Sequence, residues 1–494
     1  KKEKISSIGA YGNYIAMNKT YFFAENILKQ FGMGKEIPEF EDDKSYYFSS
    51  ADDTSVKIID PAYPFYKHTI AGNPLQPFFK PLIKNKPNLV FIILEGMGSD
   101  FLGKHAKMAD FSPFLDSLSQ KSLFWENTLS AGGRTFAALP SIFGSLPFLR
   151  QGFLEEGENA PKSNSLFSIL NCNGYSCRYY SGSSSSFDKM DVYLKTQGVK
   201  VALDVSNFGA EYNKLQGQNG FSWGYGDKEL FRKYFSIPSE ASPRVSVFFT
   251  IANHSPYVIP DQEMYVKRVE KRLNEQLIVT DKKEFLSGYK TELSCMLYAD
   301  DALRYFFEQY SKKPAFENTI FIITGDHRAP EIPISFQIDR FRVPLLIYSP
   351  LLKRSGHFKS VATHFDITPT LLALLSGVVY LPDGDSWLGT LLDTSRTTTF
   401  NRQVALMRNK NEFEDFIGKD YFLSGPDLYK LTDDLGLIAV ENEPRKRQLQ
   451  EQFAVYRAKN EKVRLSKKLL PDSVLNCRFL KNVAAEIQLS DEKE

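Results

Sequence analysis

Four short apolar runs punctuate the chain: "LVFIIL" at 89–94, "VSVFFTI" at 245–251, "TIFIIT" at 319–324 and "VPLLIY" at 343–348. They are rich in β-branched and aromatic residues and do not alternate with polar ones. A strand buried on both faces reads this way, which predicts a parallel sheet covered by helices. Stretches between the runs carry apolar residues at helical spacing, as in "SPFLDSLSQKSLFWENT" (112–128) and "SCMLYADDALRYFFEQYSKK" (294–313). The repeated order, strand then helix, predicts an α/β doubly wound domain over residues 86–395. Residues 1–85 are aromatic, polar and proline-dotted, with one helix expected in "KTYFFAENILKQFG" (19–32). They read as an arm or linker packed on that domain. Residues 396–494 change character again. "DYFLSGPDLYKLTDDLGLIAVENEP" (420–444) predicts a hairpin and a turn, and "PRKRQLQEQFAVYRAKNEKVRLSKK" (444–468) a basic amphipathic helix. Together they form a smaller C-terminal α+β subdomain with a helical tail. The charges of that helix read as a solvated face, with contact to anionic lipid as the weaker alternative.

Composition narrows the class. The 494 residues suffice for one large core with an appendage, or for two to three domains. Net charge is +2, from 61 basic and 59 acidic residues, and no basic tract is long enough to track a polyanion, so nucleic acid is not an expected partner. The segment "ITPTLLALLSGVVYL" (367–381) is too short to span a membrane, contains Pro369 and reads as a buried helix. No signal peptide pattern is present, and the opening "KKEKISS" reads as the start of a mature or truncated chain. Cys172 and Cys177 flank a turn in "LNCNGYSCRYY". A disulfide or metal pair is one reading. The other, favoured by their placement, is two small buried hydrophobes, one ending a helix and one starting a strand.

The chemistry follows the strands. "LVFIIL" ends at Glu95, "VSVFFTI" runs into "ANHSPY" with His254, and "TIFIIT" is followed by Gly325, Asp326 and His327. Sites in open parallel sheets form beyond the carboxyl ends of the strands, so a Glu, a His and an Asp-His pair converge on one edge. Glu95, Asp326 and His327 offer two oxygens and a nitrogen, a set that suits Mn²⁺ first, with Mg²⁺ or Zn²⁺ as alternatives. A fourth ligand comes from "SAGGRTFAALPS" (130–141), in which a glycine turn presents Thr135. A hydroxyl beside a divalent cation gives up its proton far more easily, which turns a poor nucleophile into a useful one. The glycines allow close backbone approach, and the helix that begins at "TFAALPSIF" offers free N–H groups to an anionic phosphate. The plainer alternative is a loop-to-helix cap with Thr135 as the N-cap.

At these residues the chain resembles a known family. "NLVFIILEGMGSDFLG", "SAGGRTFAALPSIFGSLP", "FFTIANHSPY", "FIITGDHR" and "ATHFDITPTLLALL" are similar, in order, to the successive motifs of the lipoteichoic acid synthases, phosphoglycerol transferases of the alkaline phosphatase–sulfatase superfamily. The likeness covers roughly residues 85–380 and implies an alkaline phosphatase-like fold, a mostly parallel central sheet with helices on both faces. It implies that Glu95, Thr135, Asp326 and His327 hold one Mn²⁺-like ion, that Thr135 is the nucleophile, and that His254 binds phosphate and protonates the leaving alcohol. The implied partners are a phospholipid donor, phosphatidylglycerol, and a polymer or glycan acceptor at a membrane surface. Family members carry N-terminal membrane helices, so the resemblance implies an extracytoplasmic catalytic part whose anchor lies outside this chain. "YYSGSSSSFDKM" (179–190) resembles the segment that meets the substrate head group, with Ser183, Phe187 and Lys189 as candidates; a flexible polar loop is the alternative. Trp223 lines the same cleft or is simply buried. Arg134 and Arg328 could each grip a phosphate oxygen or serve a surface ion pair. His364, in "ATHFDITPT", is a candidate for a second ion without a complete ligand set, and His68, His105 and His357 have no supporting context. A phosphoethanolamine transferase or a phosphodiesterase would use the same Thr–metal core. A sulfatase would need a Cys or Ser in a C/S-x-P-x-R context, and a non-catalytic relative would have a broken ligand set. Oligomeric state is not legible.

Overall fold

The computed structural model describes residues 58–477, except 69–71, 83–85, 104–105, 218–221, 239–242, 401 and 476. The helix expected at 19–32 and His105 therefore lie outside the described residues. The described part of the first segment includes Leu75, Phe78 and Phe79, all buried. The backbone at Lys80 donates to Leu351, and that at Lys353 to Phe78.

The four apolar runs become the four adjacent central strands of an eight-stranded sheet. Its strands are β1 (Asn88–Leu94), β2 (Leu123–Leu129), β3 (Ser176–Ser181), β4 (Lys200–Leu203), β5 (Arg244–Phe249), β6 (Thr319–Gly325), β7 (Leu345–Tyr348) and β8 (Gly356–Thr363), in the order β4-β3-β5-β1-β6-β7-β2-β8. Every residue of β1, β5 and β6 is buried. Successive side chains of β1 feed opposite faces: Leu89, Phe91 and Ile93 join one apolar cluster, and Val90, Ile92 and Leu94 the other. Both faces being covered, the period of two leaves no polar positions, which is why these strands read as unbroken apolar runs.

Two sequence expectations need correction. The helix expected over 112–128 ends early: a helix spans Pro113–Ser119, and β2 follows from Leu123 with a partly alternating burial pattern. The β-prone "LFWENTL" fills the sheet, and the polar residues before it form the turn. The run 343–348 contributes a strand, but β7 is antiparallel to both β6 and β2. No α-helix lies in the β6–β7 connection, which holds only a short 3-10 turn at Gln337–Phe341, and a parallel return needs a crossover. The buried helix at Ile367–Leu375 and the long helix Lys290–Tyr310 form where their patterns predict.

The C-terminal part holds a five-stranded antiparallel meander, β9 (Gln403–Leu406), β10 (Asp415–Gly418), β11 (Tyr421–Ser424), β12 (Asp427–Leu431) and β13 (Leu437–Ala439), and then a helix at Glu443–Ser466. That helix buries Leu449, Phe453, Tyr456 and Val463, and none of its charged residues is buried. A third apolar cluster joins Phe136 and Ala137 to Phe341, Met407, Ile417 and Phe422, so the segment after Thr135 is bedded on this second sheet. Cys172 ends a helix and Cys177 sits in β3, as their pattern predicts, but they behave differently. Cys177 is a free, buried thiol, whereas Cys172 is bonded to Cys477 across 305 residues. A partner so distant in sequence leaves no local spacing to read.

Candidate active site

β5, β1 and β6 are neighbours and parallel, and β2 runs the same way beyond the antiparallel β7. Their carboxyl ends therefore meet at one edge. Leu94 and Gly325 are the last register partners of β1 and β6, so Glu95 and Asp326 leave the sheet side by side. Gly325 is required there: a Cβ would lie 2.1 Å from the Met97 carbonyl oxygen. Ligand atoms of Glu95, Asp326 and His327 all fall within 4.8 Å of one another, and all three residues are buried. His327 Nε2 stands 3.3 Å from Asp326 Oδ2, 3.5 Å from Glu95 Oε1 and 3.2 Å from Thr135 Oγ1. The four residues named for one ion are thus gathered from three strand ends.

The electrostatics favour a cation. Asp326 Oδ1 accepts the backbone N–H groups of Gly96 and His327, each at 2.8 Å, while Oδ2 is buried and accepts no hydrogen bond, with His327 Nε2 3.3 Å away. Burial, and then the charge of Asp326, pushes the Glu95 carboxyl well above the usual carboxylate range. His327 Nδ1 donates to the Arg328 carbonyl at 2.9 Å. In the neutral ring this fixes the tautomer and leaves the Nε2 lone pair facing the carboxylates. An orphaned carboxylate oxygen, a second buried acid and an aimed imidazole nitrogen suit a hard divalent cation.

Thr135 is the first residue of a 3-10 turn (Thr135–Ala137), and Arg134, in extended conformation, occupies the N-cap without a side-chain cap bond. The N-cap alternative for Thr135 therefore does not hold; its hydroxyl reaches His327 instead. The glycines before it serve close approach, as their pattern suggests. A Cβ on Gly133 would lie 2.6 Å from Arg340 Cδ and 2.8 Å from the Arg408 carbonyl, and the Gly133 N–H donates to Met407.

His254 follows β5 in a loop held from below by Asp227. That carboxylate accepts the N–H groups of Ile251 and Ala252, at 2.9 and 3.2 Å. Burial pushes Asp227 up to about 6 against those two bonds. His254 Nδ1 donates to the Ser255 carbonyl at 2.7 Å, which leaves Nε2 as the exchanging nitrogen. The His254 ring lies 4.3 Å from that of Trp223 and 6.5 Å from that of Phe187, and the last two are 5.5 Å apart. Three residues named separately in the sequence thus form one aromatic cluster.

Other candidates are engaged elsewhere. Arg328 is fully buried; its Nε bonds Asp100 at 2.8 Å, and its terminal nitrogens bond the carbonyls of Ala329, Ile332 and Pro333. With its donors so committed it braces the loop after His327, which corrects the expectation of a phosphate grip. Lys189 is paired with Glu155, which also takes Lys410, so it is not a free cation for a head group. Ser183 is buried with its hydroxyl 3.0 Å from that of Ser181, and Ser185 bonds Asp204, so this serine run is a pinned loop. His364 is fully buried, bonds Thr324 at 3.1 Å and is pushed down to about 3 by burial and then the nearby His327; it is not among the clustered ligand groups. Arg134 is exposed. Glu331, which accepts from the Tyr257 hydroxyl, and Arg340 carried no sequence signal beyond lying close after "GDHR".

An α/β sheet covered on both faces, whose carboxyl edge gathers a buried hydroxyl, two carboxylates and an imidazole, defines an alkaline phosphatase-like enzyme fold. Solved structures of this fold agree. A protein of the alkaline phosphatase superfamily from Vibrio parahaemolyticus superposes with TM-score 0.58 at 20% identity, covering 83% of this chain and 91% of its own. The lipoteichoic acid synthase LtaP from Listeria monocytogenes does so at 0.57 and 17%, covering 78% and 93%. The chain belongs to the sulfatase family, whose pattern matches residues 87–378. Among curated relatives, the lipoteichoic acid synthase-like protein YvgJ of Bacillus subtilis is 24% identical over 68% of this chain and 53% of its own length. The lipoteichoic acid synthase of Staphylococcus aureus (strain USA300) is 26% identical over 69% and 51%. The chain spans about half the length of these relatives. Among the described residues no helix is long and apolar enough to cross a membrane.

Proposed function

We propose that the chain is the catalytic part of a metal-dependent phosphoglycerol transferase, which moves glycerophosphate from phosphatidylglycerol to a polymer or glycan hydroxyl through a covalent Thr135 intermediate. One observation carries this reading: the buried Thr135 hydroxyl lies 3.2 Å from His327 Nε2, beside two buried carboxylates. The residues that follow, Phe136, Ala137, Ala138 and Leu139, lack the proline and arginine that a sulfatase nucleophile requires, and Thr135 is neither Cys nor Ser.

Glu95, Thr135, Asp326 and His327 would hold one Mn²⁺-like ion. Once bound, it would offset the two carboxylates and make the Thr135 proton easier to lose. Thr135 Oγ1, its proton already released to water, attacks phosphorus as the alkoxide and forms the O–P bond while the bond to the glyceride oxygen breaks. His254 Nε2 gives its proton to that oxygen, and diacylglycerol leaves. His254 Nε2 then takes the proton of the acceptor hydroxyl, whose oxygen displaces Thr135; in this second displacement Thr135 leaves again as the alkoxide. Phe187 and Trp223 line the head-group side and exclude water. The Cys172–Cys477 bond supports an oxidising, extracytoplasmic setting, at a membrane surface that presents the donor. In domain terms, residues 86–395 carry the site and the described residues after 395 supply the second sheet and the helix behind it, while most of the segment read as a connecting arm, 1–85, lies outside the described residues.

The test is a donor screen on the purified chain with Mn²⁺. Diacylglycerol release from phosphatidylglycerol, with a glycerophosphoryl adduct on the Thr135 peptide by mass spectrometry, is expected. Preferred cleavage of phosphatidylethanolamine would reassign the head group, and hydrolysis without an adduct would make the chain a phosphodiesterase.

A further inference from the structure

Three restraints set the backbone that carries His254. Thr250, directly after β5, is tied to the ligand edge: its N–H donates to the Ile93 carbonyl at 3.1 Å, and its hydroxyl accepts the Glu95 N–H at 3.0 Å. His254 closes a turn, its N–H donating to the Ile251 carbonyl at 3.0 Å. Between the two, the N–H groups of Ile251 and Ala252 converge on a single atom, Asp227 Oδ1. Asp227 opens the helix Asp227–Ser236 and is 1% exposed, and its other oxygen, Oδ2, is buried and accepts no hydrogen bond. The residues before it are pinned in turn to the loop after β3. The Tyr225 N–H donates to the Gly182 carbonyl at 2.9 Å, and the two backbones leave no room for a side chain. A Cβ on Gly182 would lie 2.0 Å from the Tyr225 carbonyl oxygen, and one on Gly224, at φ +124°, 2.2 Å from the Gly182 carbonyl oxygen. Residues 224–227 thus join the loop that carries Phe187 to the loop that carries His254. The Trp223 indole N–H also reaches the Ser255 carbonyl, at 2.8 Å, which His254 Nδ1 reaches on its own.

We propose that Asp227 is a positioning residue for the proton transfers of His254, and that the Tyr225–Gly182 pairing sets where Asp227 stands. This rests on the acid and base role given to His254 above. A general acid hands over its proton only within about 2.6–3.2 Å of the receiving atom, so a shift of about 1 Å in the loop that carries it is enough to slow the transfer. Thr250 and Asp227 hold that loop from two sides, and Thr250 also holds Glu95, so the imidazole is fixed with respect to the ligand cluster. A carboxylate is a costly group to bury. Here it makes a pair of charge-assisted bonds to adjacent N–H groups, stronger than a neutral acceptor would make. A brace of the fold alone would affect every reaction of the site equally, whereas a positioning residue affects only a reaction that needs the proton. The glyceride oxygen leaves as an alcohol and takes its proton from His254 Nε2. A p-nitrophenolate leaves as the anion and takes none.

The experiment measures formation of the Thr135 adduct in a single turnover, on the full chain with Mn²⁺, from two donors: phosphatidylglycerol vesicles and glycerol p-nitrophenyl phosphate. The ratio of the two rates in one preparation does not depend on the folded fraction. Asp227→Ala should slow transfer from the lipid about tenfold or more, and from the nitrophenyl ester by about threefold at most. Asp227→Asn keeps an acceptor at Oδ1 and should recover most of the loss. Gly182→Ala, on the other loop, should reproduce the selective loss by displacing the Tyr225 carbonyl. Asp227→Ala combined with His254→Gln should be no worse on the lipid than His254→Gln alone, because both changes act on one proton. Equal losses on both donors in Asp227→Ala, or in Gly182→Ala where the first variant does not fold, overturn the proposal. Beside a selective loss in His254→Gln, that result leaves the acid role of His254 intact. Equal losses in His254→Gln itself would sink that role, and the positioning of it with it.

Discussion

Thr135 Oγ1 and His327 Nε2 lie 3.2 Å apart although 192 residues separate them in the chain. The contact exists because β2 and β6 are parallel strands, one antiparallel strand apart, that end at the same edge. Thr135→Ala removes the oxygen and little else, since Thr135 makes no cap bond. Transfer and adduct formation should fall by about 10³-fold or more, with the unfolding temperature changed by only a few degrees. Activity close to that of the parent chain would end the covalent scheme.

The ion set makes a prediction of opposite signs. Without a cation, Glu95 and Asp326 repel one another in a dry site, and the Glu95 carboxyl is held well above its usual range. Glu95→Gln should therefore leave the EDTA-treated chain as stable as the parent, or more so. The same change should abolish the rise in melting temperature on adding Mn²⁺, a rise worth about 2.7 kcal/mol at a hundredfold excess over the dissociation constant. Calorimetry of both chains with and without Mn²⁺ reads the two signs. A parent chain indifferent to Mn²⁺ would remove the metal from the scheme.

Much of this arrangement was legible in the chain because it is encoded locally. The four apolar runs report burial on both faces, and a residue directly after a parallel strand is placed by the strand itself, which is how Glu95, Asp326 and His327 could be named; His254 lies in the loop beyond Phe249, so only its run, and not its exact place, pointed to it. What failed was decided by distant partners. Arg328 looks like a phosphate ligand until Asp100, far back in the sequence, takes its guanidinium, and Lys189 until Glu155 does. Cys172 gave no hint of Cys477. The strand at Leu123–Leu129 was masked by the helix before it, since a half-buried strand beside a short helix blurs into one amphipathic stretch.

The aromatic cluster separates binding from chemistry. Trp223 meets the His254 ring at a tilt and Phe187 meets both edge-on. Trp223→Ala should raise KM for the lipid donor about tenfold while kcat changes little. His254→Gln, which cannot pass a proton, should lower kcat by about 10²-fold or more. Steady-state kinetics on phosphatidylglycerol vesicles distinguishes them, and equal losses of kcat in both would mean that Trp223 positions the imidazole rather than the head group.

Asp300 offers a pH test away from the site. It is buried in the long helix Lys290–Tyr310 and accepts the N–H groups of Phe114 and Leu115 at 2.8 and 2.9 Å. Burial nevertheless pushes it up to about 7. An acid whose folded pKa is raised binds more protons folded than unfolded, so its contribution to stability is greatest below about pH 4 and declines as pH rises to about 7. Urea midpoints of the parent and Asp300→Asn at pH 5 and pH 8 isolate this group. The parent's advantage should shrink at pH 8, and an advantage that grows would mean that the two N–H bonds outweigh burial.

The Cys172–Cys477 bond ties the end of the described chain to a helix in the main domain, closing a loop of 305 residues. Reduction should cost about 2–4 kcal/mol, because the unfolded chain regains the freedom that so long a loop had removed. The bond can be lost only once, so Cys172→Ser, Cys477→Ser and the double change should all lower stability by the same amount, and none should respond further to reductant. Cys177 and Cys295 are buried thiols, raised by burial, and should resist alkylation until the chain unfolds. Non-reducing peptide mapping checks the pairing directly. A peptide pair linking Cys172 to Cys177 would return the two residues flanking the turn to the alternative that their spacing first raised, and would leave the C-terminal tail untethered.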